Sequence, residues 1–292
     1  MAVSGGGDSM GMLALAQRDI PGRFLVISVD HDLRAESAAD AAHVAAICAD
    51  IAVPCHIHKL VWPSGKPAAN VQAEARAARY AAMRTLCETR NIPHLVTAHH
   101  ADDQAETVLM RLARGSGLSG LSGIRASRRL GGDVTLSRPC LHMPRTALIA
   151  AAWDAGFSPR EDPSNSDERY ERTRFRAFLA REAAFDPARL AQVAAHLAQS
   201  DDALEWVTDL AFESRVRTRA GTDAGAGLAM DPHGLPAELR RRLMLRAFAA
   251  MAAPEPRAAD LGRFMDTLES GGKATLSGLY GSGGAEWTLL RE

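Results

Sequence analysis

The sequence predicts an α/β fold: a parallel, Rossmann-like sheet with helices on both faces, followed by a smaller, mainly helical part. Three observations carry this. Short apolar runs alternate with helical patterns up to residue 114, the order that builds a parallel sheet covered on both sides. A glycine-rich hexapeptide stands between the first run and the first helix. From residue 146 onward the pattern turns helical, ending in a glycine-rich tail, 271–290, with strand-like pieces.

Taken in order, residues 1–4 form a short strand and residues 8–17 a helix. Residues 24–29 (FLVISV) read as a buried strand ending in Asp30 and His31, and the alanine-rich stretch 38–51 as a helix. Residues 54–60 are a third strand, 72–90 a helix with an apolar stripe, 94–98 a fourth strand and 102–114 its helix. The stretch 115–123 is rich in glycine and serine and marks a functional loop or hinge. Residues 133–139 allow one more strand, and helices follow at 146–155, 172–184, 187–214 and 235–251. We place a nucleotide domain at 1–185 and a smaller, mainly helical domain at 186–292.

Composition narrows the function classes. The 34 basic and 35 acidic side chains leave a formal charge of −1, so RNA contact must come from local patches. Cys48, Cys55, Cys87 and Cys140 form no C-x-x-C pair, which disfavours zinc ribbons, thioredoxin chemistry and clustered iron–sulfur ligation. No secretory h-region and no membrane-length apolar run is seen. A reduced, cytoplasmic setting is the expectation.

The hexapeptide Ser4, Gly5, Gly6, Gly7, Asp8, Ser9 follows a strand and opens a helix. Glycines let backbone approach phosphate, amides form an anion nest, and the helix N-terminus adds positive potential. No lysine follows, so this is not a G-x-x-x-x-G-K-[ST] loop, and the glycine spacing is not a dinucleotide fingerprint. Asp8 among phosphate donors makes sense as a ligand of Mg²⁺ bridging phosphate oxygens. The plain alternative is a glycine turn with Ser or Asp capping a helix.

A second constellation, His99, His100, Ala101, Asp102, Asp103, Gln104, Ala105, Glu106, Thr107, joins the fourth strand to its helix. Strand C-termini are where such sheets bind ligands, and Asp102 and Glu106 share a helix face. The acids suit Mg²⁺ or proton acceptance; the histidines suit neutralising α-phosphate charge. Helix-capping acids explain part of the block but not the paired histidines, and a metal hydrolase leaves the first loop unexplained.

The loop 4–9 resembles the SGGxDS loop of the N-type ATP pyrophosphatases, the PP-loop family, whose fold is adenine nucleotide alpha hydrolase-like. The block 99–107 with Arg114, Gly115, Ser116 and Gly117 resembles the AHHxDDQxET block of the bacterial lysidine synthases within it. Residues 73–80, with Arg76 and Arg79, resemble the family's A-R-x-x-R-Y stretch. Glu161, Asp162, Pro163, Ser164 and Asn165, then Tyr170, Arg172, Arg174 and Arg176, resemble its third signature.

The resemblance implies ATP as substrate, Mg²⁺ held by Asp8 and Asp103, and adenosine contact at Asp30 and His31. It implies catalytic roles for Asp8, His99, Asp102, Asp103 and Glu106. Contact with substrate or tRNA is implied for Arg76, Arg79, Arg114, Glu161, Asp162, Asn165, Arg172, Arg174 and Arg176. The implied partners are tRNA(Ile) with a CAU anticodon and free L-lysine. The implied reaction joins lysine to C2 of the wobble cytidine through an adenylated base. The base that deprotonates the lysine amine is open among Asp102, Asp103 and Glu106. The family contains dimers, so the resemblance admits a homodimer.

Four departures stand out. Only Met1, Ala2 and Val3 precede the loop, against ~5–6 residues in an average strand, so either the chain starts further upstream or the strand is supported in another way. Asp32 stands where the family usually has glycine, and Thr173 where it has asparagine. A further C-terminal domain carried by many members hardly fits into 292 residues. The competing readings are a tRNA cytidine thiolase, a non-catalytic tRNA-binding paralogue and a small-molecule amidating synthetase. A later basic cluster, Arg240, Arg241, Arg242 and Arg246, reads as a solvated helix face or as a contact for tRNA phosphates, the former favoured.

Overall fold

A computed structural model describes residues 1–34, 36–63, 65–67, 70–160, 171–219 and 227–291. The chain forms two compact units, Met1–Ala198 and Gln199–Glu292.

In the first unit, apolar, β-branched runs form β1 (Val26–Asp30), β2 (Cys55–Lys59) and β3 (His94–Val96). Helices α1 (Gly7–Asp19), α2 (Ser37–Asp50), α3 (Val71–Thr89) and α4 (Ala101–Ala113) alternate with them. A short α5 (Leu118–Leu121) precedes the hairpin of β4 (Ser127–Gly131) and β5 (Val134–Ser137). Helices α6 (Arg145–Asp154), α7 (Glu171–Arg181) and α8 (Pro187–Arg215) follow. β1 runs parallel to β2 with Val26 opposite Cys55, and β3 parallel to β5 with His94 opposite Thr135.

Residues 1–3 join these pieces into one sheet. The Met1 carbonyl accepts from Ile27 N at 2.8 Å and Val3 N donates to Ile27 O at 3.0 Å, while on the other side Ala2 N donates to Val96 O at 2.8 Å. The three residues therefore lie between β1 and β3 with ladder bonds on both flanks, which compensates for their shortness. The parallel sheet expected from the sequence is present, with one addition: β4 pairs antiparallel to β5. Gly131 and Gly132, both at positive φ, make the hairpin turn that this requires.

The two sheet faces build separate cores because successive strand residues point opposite ways. Val26 packs with Met10, Leu13, Val44 and Phe157. Its neighbour Ile27 packs with Tyr80, Met83, Leu95 and Leu136. α1 lies so close to α6 that a Cβ on Gly11 would sit 2.0 Å from the Leu148 carbonyl oxygen.

The second unit holds the end of α8, then α9 (Ala237–Ala250) and α10 (Ala258–Glu269), against a five-stranded antiparallel sheet. Its order is β6 (Val216–Arg219), β7 (Gly227–Met230), β10 (Trp287–Arg291), β9 (Leu279–Ser282) and β8 (Lys273–Leu276). The helical character expected there is joined by more sheet than the strand-like tail suggested. Phe248 and Phe264 meet edge to face at 5.8 Å inside its core. The cluster at 240–246 is ion-paired. Arg242, 3% exposed, meets Asp201, Glu205 and Glu238; Arg246 meets Glu205 and Asp209; Arg240 meets Glu269; and Arg241 meets Glu238. These arginines thus serve helix packing, and the reading as a phosphate patch loses its free charges. No helix among the described residues is long and apolar enough to cross a membrane.

Gly11→Ala forces backbone apart at the α1–α6 contact. It should lower unfolding free energy by about 3 kcal/mol, at the upper end of overpacking costs, as measured by urea titration. A change within about 0.5 kcal/mol would mean that the two helices do not pack this closely.

Candidate functional site

The glycine loop is shaped by its own side chains. Gly5 takes φ +90°, a conformation for which glycine is suited. Ser9 closes the turn: its hydroxyl donates to Gly6 O at 3.0 Å and accepts from Ser4 N at 3.1 Å. Arg160 N donates to Gly5 O at 2.9 Å. No side chain caps α1 at Gly6, so the first-turn amides keep their positive potential for an incoming anion.

Beside the loop, the end of β1 is ordered by Asp30. Its buried Oδ1 accepts from Ser37 Oγ at 2.5 Å and Asp32 N at 2.9 Å. Burial works to raise this carboxyl's pKa, but those two bonds outweigh it and hold it below the usual value. Asp32 adopts φ +52°, which explains the family's glycine there; aspartate is one of the few side chains tolerating it. His31 faces the cleft, its ring accepting from Leu33 N at 3.2 Å and its carbonyl from Trp62 Nε1 at 3.0 Å.

The block after β3 opens α4. His100, 1% exposed, and Asp103 form a reciprocal cap: Asp103 Oδ2 accepts from His100 N at 3.1 Å, and His100 Nδ1 faces Asp103 N at 3.4 Å. Asp8 lies 3.6 Å from His100 Nε2, Asp103 3.4 Å from the same nitrogen, and Asp102 3.5 Å from Nδ1. Burial opposes a charged ring, yet the acids prevail and push its pKa up to about 9. An imidazolium cannot accept the Asp103 amide at Nδ1. That contact is long, and three carboxylates around the ring make the charged state the one we favour. His99 is the opposite case. Burial, then Arg138, Arg76 and Arg172, push it down to about 3, leaving a neutral ring bonded to Thr97 Oγ1 at 3.0 Å. Adjacent histidines therefore hold different charge, and anion neutralisation falls mainly to arginines.

Arg34, Arg76, Arg79, Arg160, Arg172 and Arg176 line a cleft of about 430 Å³ that also contains Ser4, Gly6, Asp8, Ser9, His99 and Asp103. From α7, Arg172 reaches Glu106 at 2.5 Å and Asp103 at 2.6 Å, and Arg176 reaches Glu106 at 2.7 Å. Glu106 is 1% exposed, so its charge depends on that clasp. Arg76 and Arg79 of α3 also line the cleft. Arg174 is exposed, and Arg114 pairs with Glu171 outside the cleft lining. Glu161, Asp162 and Asn165 lie outside the described residues.

Several participants carry no motif. Arg145 donates from Nε to Asp8 at 3.1 Å and from its backbone to Asp102 at 2.8 Å, tying the two blocks together. Asp8 and Asp102 are held below the usual carboxylate range: burial favours the neutral acid but His100 and Arg145 more than offset it. Arg34 and Arg160 bracket Asp40 at 2.7 and 3.2 Å. The only sequence signal for these was proximity to a motif, and Arg145 stands 137 residues from Asp8. Asp8 and Asp103 flank one ring nitrogen at the cleft, an arrangement that fits Mg²⁺ sharing one or two carboxylates with nucleotide phosphates. Among the described residues no cluster of three or more ligands stands ready to hold a metal alone, so phosphate oxygens would have to complete the shell.

His99 gives a pH test. A histidine in an unfolded chain titrates near ~6.5, whereas in the fold this ring is pushed down to about 3. Between those values the unfolded state binds the extra proton, so this group removes stability as pH falls through the upper one. His99→Gln should lose less stability than the parent between about pH 7 and about pH 5, measured as urea midpoints; equal losses would show that the ring is not held neutral.

Residues 1–183 match the PP-loop domain family. The tRNA(Ile)-lysidine synthase of Novosphingobium aromaticivorans is 44% identical over 96% of this chain and 84% of its own length. That of Zymomonas mobilis is 40% identical over 100% of this chain and 87% of its own. Among solved structures, the U34-tRNA thiolase NcsA of Methanococcus maripaludis superposes with a TM-score of 0.56 at 16% identity, covering 68% of this chain and 70% of that one, and so shares the fold. The chain belongs to the tRNA(Ile)-lysidine synthase family of PP-loop domain proteins.

Proposed function

We propose that this chain is an ATP-dependent RNA-modifying ligase that joins free L-lysine to C2 of the wobble cytidine, position 34, of tRNA(Ile) with a CAU anticodon. AMP and pyrophosphate are released. The observation that carries the reading is the convergence of the loop 4–9, the acids of α4 and the arginines of α7 on one cleft. Relatives named tRNA(Ile)-lysidine synthase at 44 and 40% identity support it. We assign residues 186–292 to tRNA binding.

In the first half-reaction the cytosine C2 oxygen attacks the α-phosphate, and the amides of residues 5–9 and the α1 N-terminus hold the departing pyrophosphate. Asp8 and Asp103 would hold Mg²⁺, which when bound offsets phosphate charge. His31 borders the adenosine end, and Arg145 keeps Asp8 oriented. In the second half-reaction the lysine amine attacks C2 and expels AMP. Its ammonium, of ordinary pKa ~10.4, must first lose a proton. The acids near that point are Asp102, Asp103 and Glu106, and their arginine and histidine partners fix their oxygens without singling one out.

The thiolase alternative draws only on shared fold. Cys48, Cys87 and Cys140 are buried, and neither they nor Cys55 lines the cleft.

Incubation with ATP, Mg²⁺, ¹⁴C-lysine and tRNA carrying a CAU anticodon should place label in RNA only when ATP is present. Pyrophosphate release triggered by a different acceptor, with no label in RNA, would overturn the assignment. Asp8→Ala should reduce pyrophosphate release at least about 100-fold, the scale of a lost electrostatic group in an active site, while gel-shift affinity for tRNA is kept. Undiminished turnover in that variant would remove Asp8 from the phosphate site.

A further inference from the structure

The cleft arginines differ in what neutralises them. Arg172 and Arg176 meet Glu106 and Asp103, and Arg34 and Arg160 meet Asp40. Arg76 and Arg79 belong to another cluster, gathered around Tyr80. Arg76 lies 5.1 Å over the Tyr80 ring with Nη2 3.5 Å from its hydroxyl. Arg128 of β4 approaches the same ring at 5.9 Å. Arg138, just after β5, is 5% exposed, donates to Arg125 O at 2.6 Å and lies beside Tyr80.

Among the described residues none of these four guanidinium groups has a carboxylate within ion-pair reach. Burial, and then the positive charges of Arg128 and Arg76, work against the Arg138 cation; burial, and then Arg76, work against that of Arg79. Arg138 Nε is buried with no hydrogen-bond partner among the described residues. Gathering four cations, one of them buried, without an acid is unfavourable unless an anion joins them. The chain's formal charge is −1, so this excess is local. The cluster extends from the cleft lining, through Arg76 and Arg79, to the exposed strand position of Arg128. One carboxylate fits one guanidinium fork; a row of forks fits successive phosphates.

We propose that Arg76, Arg79, Arg128 and Arg138, arranged around Tyr80, seat the phosphate backbone of the RNA strand that brings the target base into the cleft. The proposal rests on the RNA-modifying reading above and specifies where the strand runs. Tyr80 is buried, so it spaces the arginines instead of stacking on a base. Arg138 contributes from behind, through Tyr80 and through its field.

The test is a salt series on the full chain, with a labelled RNA hairpin carrying a CAU loop, alongside ATP binding on the same preparations. Arg128→Gln alters an exposed side chain and leaves the core intact; Arg138→Lys keeps the buried charge but loses the fork. Arg129→Gln, one residue along the same strand, is the control. Arg128→Gln should flatten the plot of log affinity against log salt by about 0.7–0.9 and weaken binding roughly tenfold near ~0.1 M salt. Arg138→Lys should weaken RNA binding in the same direction. ATP affinity should be unchanged in both, and Arg129→Gln should match the parent. An unaltered slope for Arg128→Gln overturns the proposal. So does a raised KM for free lysine with RNA binding intact, which would give the cluster to the amino acid's carboxylate. If the parent ignores the CAU hairpin but binds other single-stranded RNA with the same arginine-dependent slope, the seat stands and the choice of tRNA falls.

Discussion

Everything at the site hangs from three residues in the middle of a sheet. Residues 1–3 are bonded to β1 on one side and to β3 on the other. That places the loop 4–9, the β1 end at Asp30 and the block opening α4 at the carboxyl ends of three adjacent strands. Parallel sheets bind ligands there because the connecting backbones diverge and leave a crevice. A strand this short would be weak at a sheet edge; flanked by partners it is held at both backbone faces. The close packing of α1 on α6 at Gly11 then fixes the direction in which the loop's amides point.

Upon that frame the site is an arrangement of opposed charges. The acids of the cleft are matched by cations from other elements: Asp8 by Arg145 and His100, Glu106 by Arg172 and Arg176. Such pairing holds the carboxylate oxygens in place in a partly buried setting. His99 and His100 show how strongly surroundings override residue type: burial, with arginines beside it, pushes one down, while the other, also buried, is pushed up by the acids around it. The α3 arginines around Tyr80 have no carboxylate partner among the described residues.

The likeness to the U34-tRNA thiolase, at 16% identity, shows how little of this chemistry the scaffold dictates. The two chains share the fold over about two thirds of their lengths, 68% of this one and 70% of that one. The assignment to the lysidine synthase family comes instead from relatives aligned along most of the chain.

Read alone, the sequence determined the alternation of strands and helices, the phosphate loop and the paired histidines with their acids. Those features are local: periodicity, glycine spacing and residue order express themselves within a few turns of chain. Through the family resemblance it also singled out Arg172 and Arg176 as expected substrate contacts, and Asp32 as a departure, which the structure finds at positive φ. It did not show that these arginines clasp Glu106, that Arg145 spans 137 residues to reach Asp8, or that Arg242 is consumed in ion pairs. Nor did it reveal the five-stranded sheet of the second unit, whose four- and five-residue strands are too short to show a period. Those matters belong to tertiary structure, because the charge and burial of a side chain depend on elements distant in sequence that only folding brings alongside it.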